Sequence, residues 1–218
     1  MDGVIANLPA ICDLAEQYHA LVVVDDSHAV GFMGRMAEGL MNIIRWSTGS
    51  ISLPGHWVKP WRRVRWLYIW QKPVIEWLRQ RSGPYLFSNS VAPGIVSASI
   101  QVVDLLKESD ALRRRLWQNA AHFRQRMTAA GFTLGGADHA IIPIMLGDAK
   151  VAAEFAERAL EKGMYVVGFS YPVVPKGQAR IRTQMSAAHT RAVLDRAIDV
   201  FIAVGQAMGI LVGSAERV

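Results

Sequence analysis

A short, wholly apolar run at residues 21–24 (L-V-V-V) constrains the fold more than any other feature of the sequence. Such a run, rich in β-branched valine, is typical of a strand buried on both faces of a parallel sheet. A helical pattern precedes it, with Ile11, Leu14 and Tyr18 on one face. Polar residues 25–28 (D-D-S-H) follow it, at the strand end where open parallel sheets bind ligands. We therefore predict an α/β fold with a functional site at residues 25–28.

Length and composition are those of a globular protein. The chain has 218 residues, of which 51% are hydrophobic and 19% charged, enough to bury a core in one or two domains. No apolar run reaches the roughly 18 residues of a membrane-spanning helix, and no secretory signal opens the sequence. The single cysteine, Cys12, excludes an internal disulfide framework and a cysteine-cluster metal site. We expect a cytoplasmic protein without a bound metal.

The net charge of +6 is concentrated in residues 35–72. This segment holds seven basic side chains against one acidic side chain, Glu38, and five of the seven tryptophans. Interleaved cations and aromatic rings occur on surfaces that bind nucleic acid or anionic membranes, which leaves a binding module as the alternative function. The basic residues form no helical face, which argues against that alternative. We therefore expect neither nucleic acid nor membrane as a partner.

Strand and helix patterns alternate from about residue 95, as in a compact α+β domain. The predicted elements are helices at 93–108 and 110–129, a strand at 141–146, a helix capped by Asp148, strands at 164–168 and 179–183, and a helix from Thr190 to about residue 208. We predict two domains, residues 1–94 and residues 95–218.

Three motifs in the chain are too long for chance agreement with a known family. They are V-V-V-D-D-S-H-A-V-G (22–31), Y-L-F-S-N-S (85–90) and V-P-K-G-Q-A-R-I-R-T-Q-M-S-A-A-H-T (174–190). These motifs resemble the α-oxoamine synthases, fold-type-I enzymes that use pyridoxal phosphate. The resemblance implies the C-terminal part of such an enzyme: part of the large parallel-sheet domain in residues 1–94, and the small α+β domain in residues 95–218. It also implies a homodimer that transfers an acyl group between acetyl-CoA and glycine to give 2-amino-3-oxobutanoate.

The resemblance assigns roles to individual residues. Asp25 would keep the ring nitrogen of pyridoxal phosphate protonated, and His28 would hydrogen-bond the ring's 3-oxygen. Ser88 and Asn89 would contact the cofactor phosphate of the partner subunit. Arg182 would bind the amino-acid carboxylate through its planar guanidinium. Without the resemblance, spacing favours a simple turn with a loop histidine at residues 25–28, while Ser88 and Asn89 suit a second turn and Arg182 suits a surface ion pair.

The lysine that bonds covalently to the cofactor in this family is missing from its expected context. In the family it lies in a motif similar to T-G-T-L-G-K-A-L-G-G-A-S-G-G-Y, a few dozen residues after the D-D-S-H strand. Residues 54–63 are P-G-H-W-V-K-P-W-R-R instead. Lys59 has the right chain position, but Val58 and Pro60 replace small neighbours, and Pro60 biases Lys59 toward extended backbone. We expect that Lys59 does not reach the cofactor and that the chain as written is inactive.

A shift of reading frame accounts for the unusual segment. The codons of residues 36–60, with the adjoining bases of codons 35 and 61, permit N-G-R-G-S-H-E-Y-Y-S-M-V-D-G-V-D-I-I-T-G-T-L-G-K-A-L when they are read from the third base of each codon into the next. Residues 61–71, read from the second base, permit G-G-A-S-G-G-Y-I-S-G-K, which completes the family motif without a gap. We therefore interpret residues 35–72 as an out-of-frame translation and expect no consistent core or strand pairing there. Residues 1–4 resemble the middle of a family chain, so we also expect a truncated protein whose residues 8–25 leave apolar surface exposed.

Overall fold

A computed structural model describes residues 2–20, 22–25, 27–34, 51–55, 67–69, 72–88 and 90–211. Contacts divide the chain into two units. The N-terminal unit is Ile5–Asp110, and the C-terminal unit is Ala111–Val218 together with Met1–Val4.

The N-terminal unit contains a small sheet and four helices in its described ranges. Its elements are α1 (Leu8–Gln17), β1 (Val22–Val23), β2 (Ile51–Gly55), β3 (Leu67–Ile69), α2 (Lys72–Arg81), α3 (Gly83–Leu86) and α4 (Pro93–Glu108). Asn7 caps the N-terminus of helix α1, because its side chain accepts a hydrogen bond from the backbone nitrogen of Ala10. Strand β1 pairs in parallel with β2. The predicted parallel strand at residues 21–24 is therefore confirmed for Val22–Val23; Leu21 lies outside the described residues, and Val24 follows the strand.

Strands β2 and β3 lie within residues 35–72, where we expected no consistent strand pairing. Val22 of β1 lies opposite Ile51 of β2, and β3 pairs antiparallel with the other edge of β2. The expectation was wrong for these two stretches. Backbone N–H and C=O groups make the pairing, and β1 needs a partner for those groups whatever side chains the partner carries. Apart from Lys72, the other residues of the segment, including Lys59, lie outside the described ranges.

Helix α1 buries one face and exposes an apolar stripe. Leu8 and Cys12 are buried, whereas Ile11, Leu14 and Tyr18 are 43%, 56% and 71% exposed. Exposed apolar surface from this helix was expected and is confirmed. None of the helices in the described part of the chain is both long and apolar enough to span a membrane.

The C-terminal unit is an antiparallel sheet covered by helices. Its elements are α5 (Ala111–Ala129), β4 (Ile141–Gly147), α6 (Ala149–Glu161), β5 (Gly168–Phe169), β6 (Ala179–Gln184) and α7 (Arg191–Ala207), and the sheet order is β4-β6-β5. Four buried phenylalanines form the centre of the core: Phe123, Phe132, Phe155 and Phe201. The rings of the last two stack with centroids 5.5 Å apart, and the others meet them edge to face.

Most predicted elements of this unit are confirmed, including two helix caps. Asp148 accepts from the backbone nitrogen of Lys150 at 2.7 Å, and Thr190 accepts from that of Val193 at 3.3 Å. The strand predicted at 164–168 is wrong in position, because β5 contains only Gly168–Phe169. Tyr165, one of the apolar residues behind that prediction, is 78% exposed and packs in no sheet interior.

The division between the two units falls between Asp110 and Ala111, and the domains of residues 1–94 and 95–218 stay a prediction. Helix α4 groups with the N-terminal unit because none of its described residues is buried, so it adds nothing to the phenylalanine core. The start of the chain instead joins the C-terminal unit, where the carbonyl oxygen of Gly3 accepts from the nitrogen of Ala137 at 2.8 Å. Gly3 has φ +68°, and an added Cβ would lie 2.3 Å from the oxygen of Ile141. Only glycine fits this close approach.

Candidate active site

Asp25 lies two residues after the end of β1 and is held in a tight turn. Its carboxylate oxygen Oδ1 accepts hydrogen bonds from the backbone nitrogen of Ser27, at 3.0 Å, and from the Ser27 hydroxyl. The side chain is exposed. The turn therefore presents a fixed carboxylate at the end of a strand that has a parallel neighbour, the edge of the sheet that binds ligands in open α/β folds.

His28 lies in the same turn and is half-buried. The next residue, Ala29, is buried, and its carbonyl oxygen accepts from the backbone nitrogens of Phe32 and Met33. Gly31 follows with φ +92°, a backbone conformation that favours glycine. An imidazole and a carboxylate thus lie within four consecutive residues of the chain.

Arg182 lies on β6, the central strand of the C-terminal sheet, opposite Pro143 of β4. It is half-buried, and its guanidinium carbon lies 4.9 Å from the ring centroid of Phe169. Among the residues that the structure describes, no acidic side chain forms an ion pair with Arg182. A half-buried cation held by a ring and unpaired within the described ranges is suited to binding an anion.

Arg180, two residues earlier on β6, is fully engaged. Its side chain is buried and donates to Asp2 Oδ2 at 3.0 Å, to the carbonyl oxygen of Gln178 at 2.9 Å and to Gln178 Oε1 at 3.2 Å. These contacts join the start of the chain to β6. Arg180 therefore has a structural role, and only Arg182 of the two arginines is available to a ligand.

Asn119 fixes the loop that follows β6, and the sequence analysis missed it. This buried side chain on α5 donates from Nδ2 to the carbonyl oxygens of Ser186 and His189, both at 2.9 Å. Arg115 donates to the second of these oxygens at 3.3 Å. The sequence did offer one sign of this role, because Asn119 is a polar residue next to Ala120 on the apolar face of α5. The loop belongs to the third family motif, so its position depends on a residue outside all three motifs.

The remaining predicted site residues are only partly described. The Ser88 hydroxyl is exposed and donates to the carbonyl oxygen of Pro84, which closes the turn after α3. Asn89 and Lys59 lie outside the described residues. Asp25, His28 and Ser88 belong to the N-terminal unit, and Arg182 belongs to the C-terminal unit.

Comparison with known proteins gives the family. A family model described as aminotransferase class I and II matches residues 1–201. The 2-amino-3-ketobutyrate coenzyme A ligase of Escherichia coli (strain K12) is 55% identical, with 97% of this chain and 53% of the relative covered. The 8-amino-7-oxononanoate synthase of Thermoanaerobacter pseudethanolicus is 40% identical over 97% of this chain and 53% of its own. The chain thus spans about half the length of the curated relatives it matches.

A solved structure supports the same assignment. A high-resolution structure of SPT with a PLP internal aldimine is 30% identical and superposes with a TM-score of 0.88, covering 96% of this chain and 53% of that chain. The fold-type-I architecture and the resemblance to the α-oxoamine synthases are thereby confirmed. The chain belongs to the aminotransferase class I and II family.

Proposed function

We propose that this chain is part of a glycine C-acetyltransferase, a pyridoxal-phosphate-dependent enzyme. The reaction joins the acetyl group of acetyl-CoA to glycine and gives 2-amino-3-oxobutanoate and coenzyme A, or runs in reverse. The 55% identity to the E. coli ligase over 97% of the chain is the observation that carries this proposal. A homodimer and a cytoplasmic location belong to the same proposal; the lone cysteine, Cys12, supports the location.

The chemistry of the described residues fits the ring of pyridoxal phosphate. When bound, the cofactor supplies an electron sink for charge that develops on the α-carbon of the amino acid. Asp25 holds a proton on the ring nitrogen, because the carboxylate fixed by Ser27 is the anionic group that a pyridinium requires. His28 in the same turn donates a hydrogen bond to the ring's 3-oxygen.

Arg182 binds the carboxylate of glycine in this proposal. Its planar fork of N–H donors matches the two carboxylate oxygens, and its half-buried position reduces competition from water. Ser88 and Asn89 contact the phosphate of the cofactor in the partner subunit. That role requires the Ser88 hydroxyl to exchange its bond to Pro84 for one to the phosphate.

The chain as written is inactive in this proposal, because Lys59 has lost its family neighbours. A lysine reacts covalently only when it is held within bonding distance of the carbonyl and kept unprotonated. In the sequence V-K-P, Val58 and Pro60 stand beside Lys59 in place of the small residues of the family motif. Asp25, His28 and Arg182 therefore make noncovalent contacts only.

Two chains test the proposal: the chain as written, and a chain in which residues 35–72 carry the restored reading. Each is co-expressed with the part of the E. coli ligase that this chain does not match. We expect glycine-dependent release of coenzyme A from acetyl-CoA, and a borohydride-stable cofactor peptide at the restored lysine, from the second chain only. Arg182→Lys in the second chain should raise the KM for glycine at least tenfold.

Two outcomes would contradict different parts of the proposal. A cofactor peptide at Lys59 of the chain as written, lost in Lys59→Ala, would show that the chain is active. Absence of coenzyme A release from the restored chain, with cofactor bound, would exclude glycine acyl transfer.

A further inference from the structure

We propose that Phe169 is a positioning residue for Arg182: its ring holds the guanidinium in the orientation that binds a carboxylate. The inference rests on the proposed function, in which Arg182 binds glycine. It adds a residue that lies outside the three family motifs, on a different strand from the arginine.

The sheet register places the two side chains on one face. Phe169 of β5 lies opposite Arg180 of β6, and Arg182 is two residues further along β6. Side chains two residues apart on a strand share a face, so Phe169 and Arg182 are diagonal neighbours. The distance of 4.9 Å between the guanidinium carbon and the ring centroid is within the range of a cation–π contact.

The ring and a bound carboxylate would use different parts of the guanidinium. A cation–π contact engages the flat face of the group, whereas a carboxylate accepts from the N–H donors at its edge. The ring therefore restricts the rotation of a long, flexible side chain without occupying its donors. Restricting the free side chain to the binding orientation strengthens binding, because less conformational entropy is lost when the ligand arrives.

Both strands that carry the pair are fixed. Gly168 lies so close to α6 that an added Cβ would be 2.9 Å from the carbonyl oxygen of Ala152. On β6, the Thr183 hydroxyl donates to the carbonyl oxygen of Ile142 at 2.7 Å. Phe169 therefore lies on β5, which packs closely against α6. Arg182 lies on β6, which is hydrogen-bonded to β4 on its other side.

Arg180 provides an internal comparison on the same face. Its guanidinium is held by Asp2 and Gln178, whose oxygens occupy its donors. Arg182, with an aromatic partner in place of oxygens among the described residues, keeps its donors for a ligand. The two arginines therefore show two ways to immobilise a guanidinium, and only the aromatic way leaves it able to bind an anion.

The experiment titrates the full chain with glycine and with sodium acetate and follows the Arg182 Nε–H signal by NMR. Phe169→Leu keeps an apolar side chain but removes the ring, and Phe169→Tyr keeps the ring. We expect Phe169→Leu to shift the Arg182 signal away from its ring-current position and to weaken carboxylate binding about three- to tenfold. Phe169→Tyr should retain both the ring-current position of the Arg182 signal and the affinity for carboxylate.

A matched control is available in the same unit. The ring of Tyr171 lies 5.2 Å from Nζ of Lys176, a cation without a proposed role. Tyr171→Leu removes an aromatic partner from a cation in the same way, and it should leave the acetate Kd and the Arg182 signal unchanged. Urea unfolding of each variant identifies any loss that comes from folding.

The outcomes separate the two proposals. If Arg182→Lys abolishes carboxylate binding but Phe169→Leu leaves Kd unchanged, the positioning role is overturned and the proposed function stands. If Arg182→Lys leaves the Kd for glycine and acetate unchanged, Arg182 does not bind the carboxylate. That result overturns both the proposed role of Arg182 and the positioning role of Phe169.

Discussion

The ion pair between Arg180 and Asp2 holds a buried charged side chain in the C-terminal unit. The Arg180 side chain is 8% exposed and that of Asp2 is 28% exposed. A buried guanidinium that loses its carboxylate keeps its desolvation cost and loses the compensating charge. The pair therefore contributes to stability mainly through the cost of breaking it.

Asp2→Ala should lower the free energy of unfolding of the C-terminal unit by about 2–3 kcal/mol. Urea unfolding followed by far-ultraviolet circular dichroism measures this loss. The control is Glu154→Ala, which breaks the exposed ion pair with Arg158 and should cost under about 1 kcal/mol. Equal losses in the two variants would show that burial of Arg180 has no special effect.

The sequence predicted site residues that belong to local motifs and missed those that depend on distant contacts. Asp25 and His28 lie three residues apart, and Arg182 lies within a 17-residue motif, so contiguous residues carry the family resemblance that assigns their proposed roles. Asn119 contacts Ser186 across 67 residues, and Arg180 contacts Asp2 across 178. No periodicity extends over such separations, because they are set by how the elements pack.

At the scale of elements, caps were easier to predict than short strands. Asp148 and Thr190 cap their helices through their own backbone neighbours, so the signal is local. Strand β5 is two residues long, and its pairing with β6 rather than its own apolar content defines it. Strand β2 was missed for the same reason, since its pairing with β1 uses backbone groups that every residue carries.

Gly205→Ala should destabilise the protein although alanine is the better helix former. Gly205 lies inside α7, where an added Cβ would be 2.7 Å from Cζ of Phe132 and 3.0 Å from Cγ of Leu211. Helix propensity favours alanine by about 1 kcal/mol, but overpacking costs about 1–3 kcal/mol, and the buried Phe132 ring has little room to move. Thermal unfolding should show a lower Tm than in the exposed control Gln206→Ala. A Tm above that of the unchanged protein would contradict this account.

The contact between α5 and α7 should be sensitive to acid. A hydrogen bond from His122, at 2.6 Å, and the nearby charges of His122 and Arg126 hold the pKa of Asp195 below its ordinary value. Because the folded pKa lies below the unfolded one, Asp195 stabilises the protein at neutral pH, and this contribution is lost as pH falls through the folded pKa.

NMR titration of the Asp195 carboxyl carbon measures that pKa directly. His122→Ala removes the largest cause of the shift, so the pKa should rise toward its ordinary value. The control is Asp148→Asn at the N-cap of α6, which should leave the Asp195 titration unchanged. An unaltered Asp195 pKa in His122→Ala would mean that Arg126 alone sustains the shift.

At the scale of the whole molecule, the distribution of charge and tryptophan is the sequence property that needs explanation. The coding DNA between codons 34 and 74 should contain the family motif in two shifted reading frames, L-G-K-A-L in one and G-G-A-S-G-G-Y in the next, with guanine-rich glycine codons behind the excess of arginine and tryptophan. Sequencing this DNA decides the matter. Codons that cannot give this motif in any frame would exclude the frame shift and restore the segment as a native Trp/Arg-rich insertion.

The docking of Asp2 and Gly3 onto the C-terminal unit has a consequence for the order of synthesis. Asp2 is made 178 residues before Arg180, and at about 5–20 residues per second roughly 10 to 40 s pass between them on the ribosome. During that interval Asp2 has no arginine to pair with, and the sheet of the C-terminal unit lacks its central strand, β6. The C-terminal unit therefore completes its fold only after β6 has emerged, when Arg180 pairs with Asp2 in a segment that was synthesised much earlier.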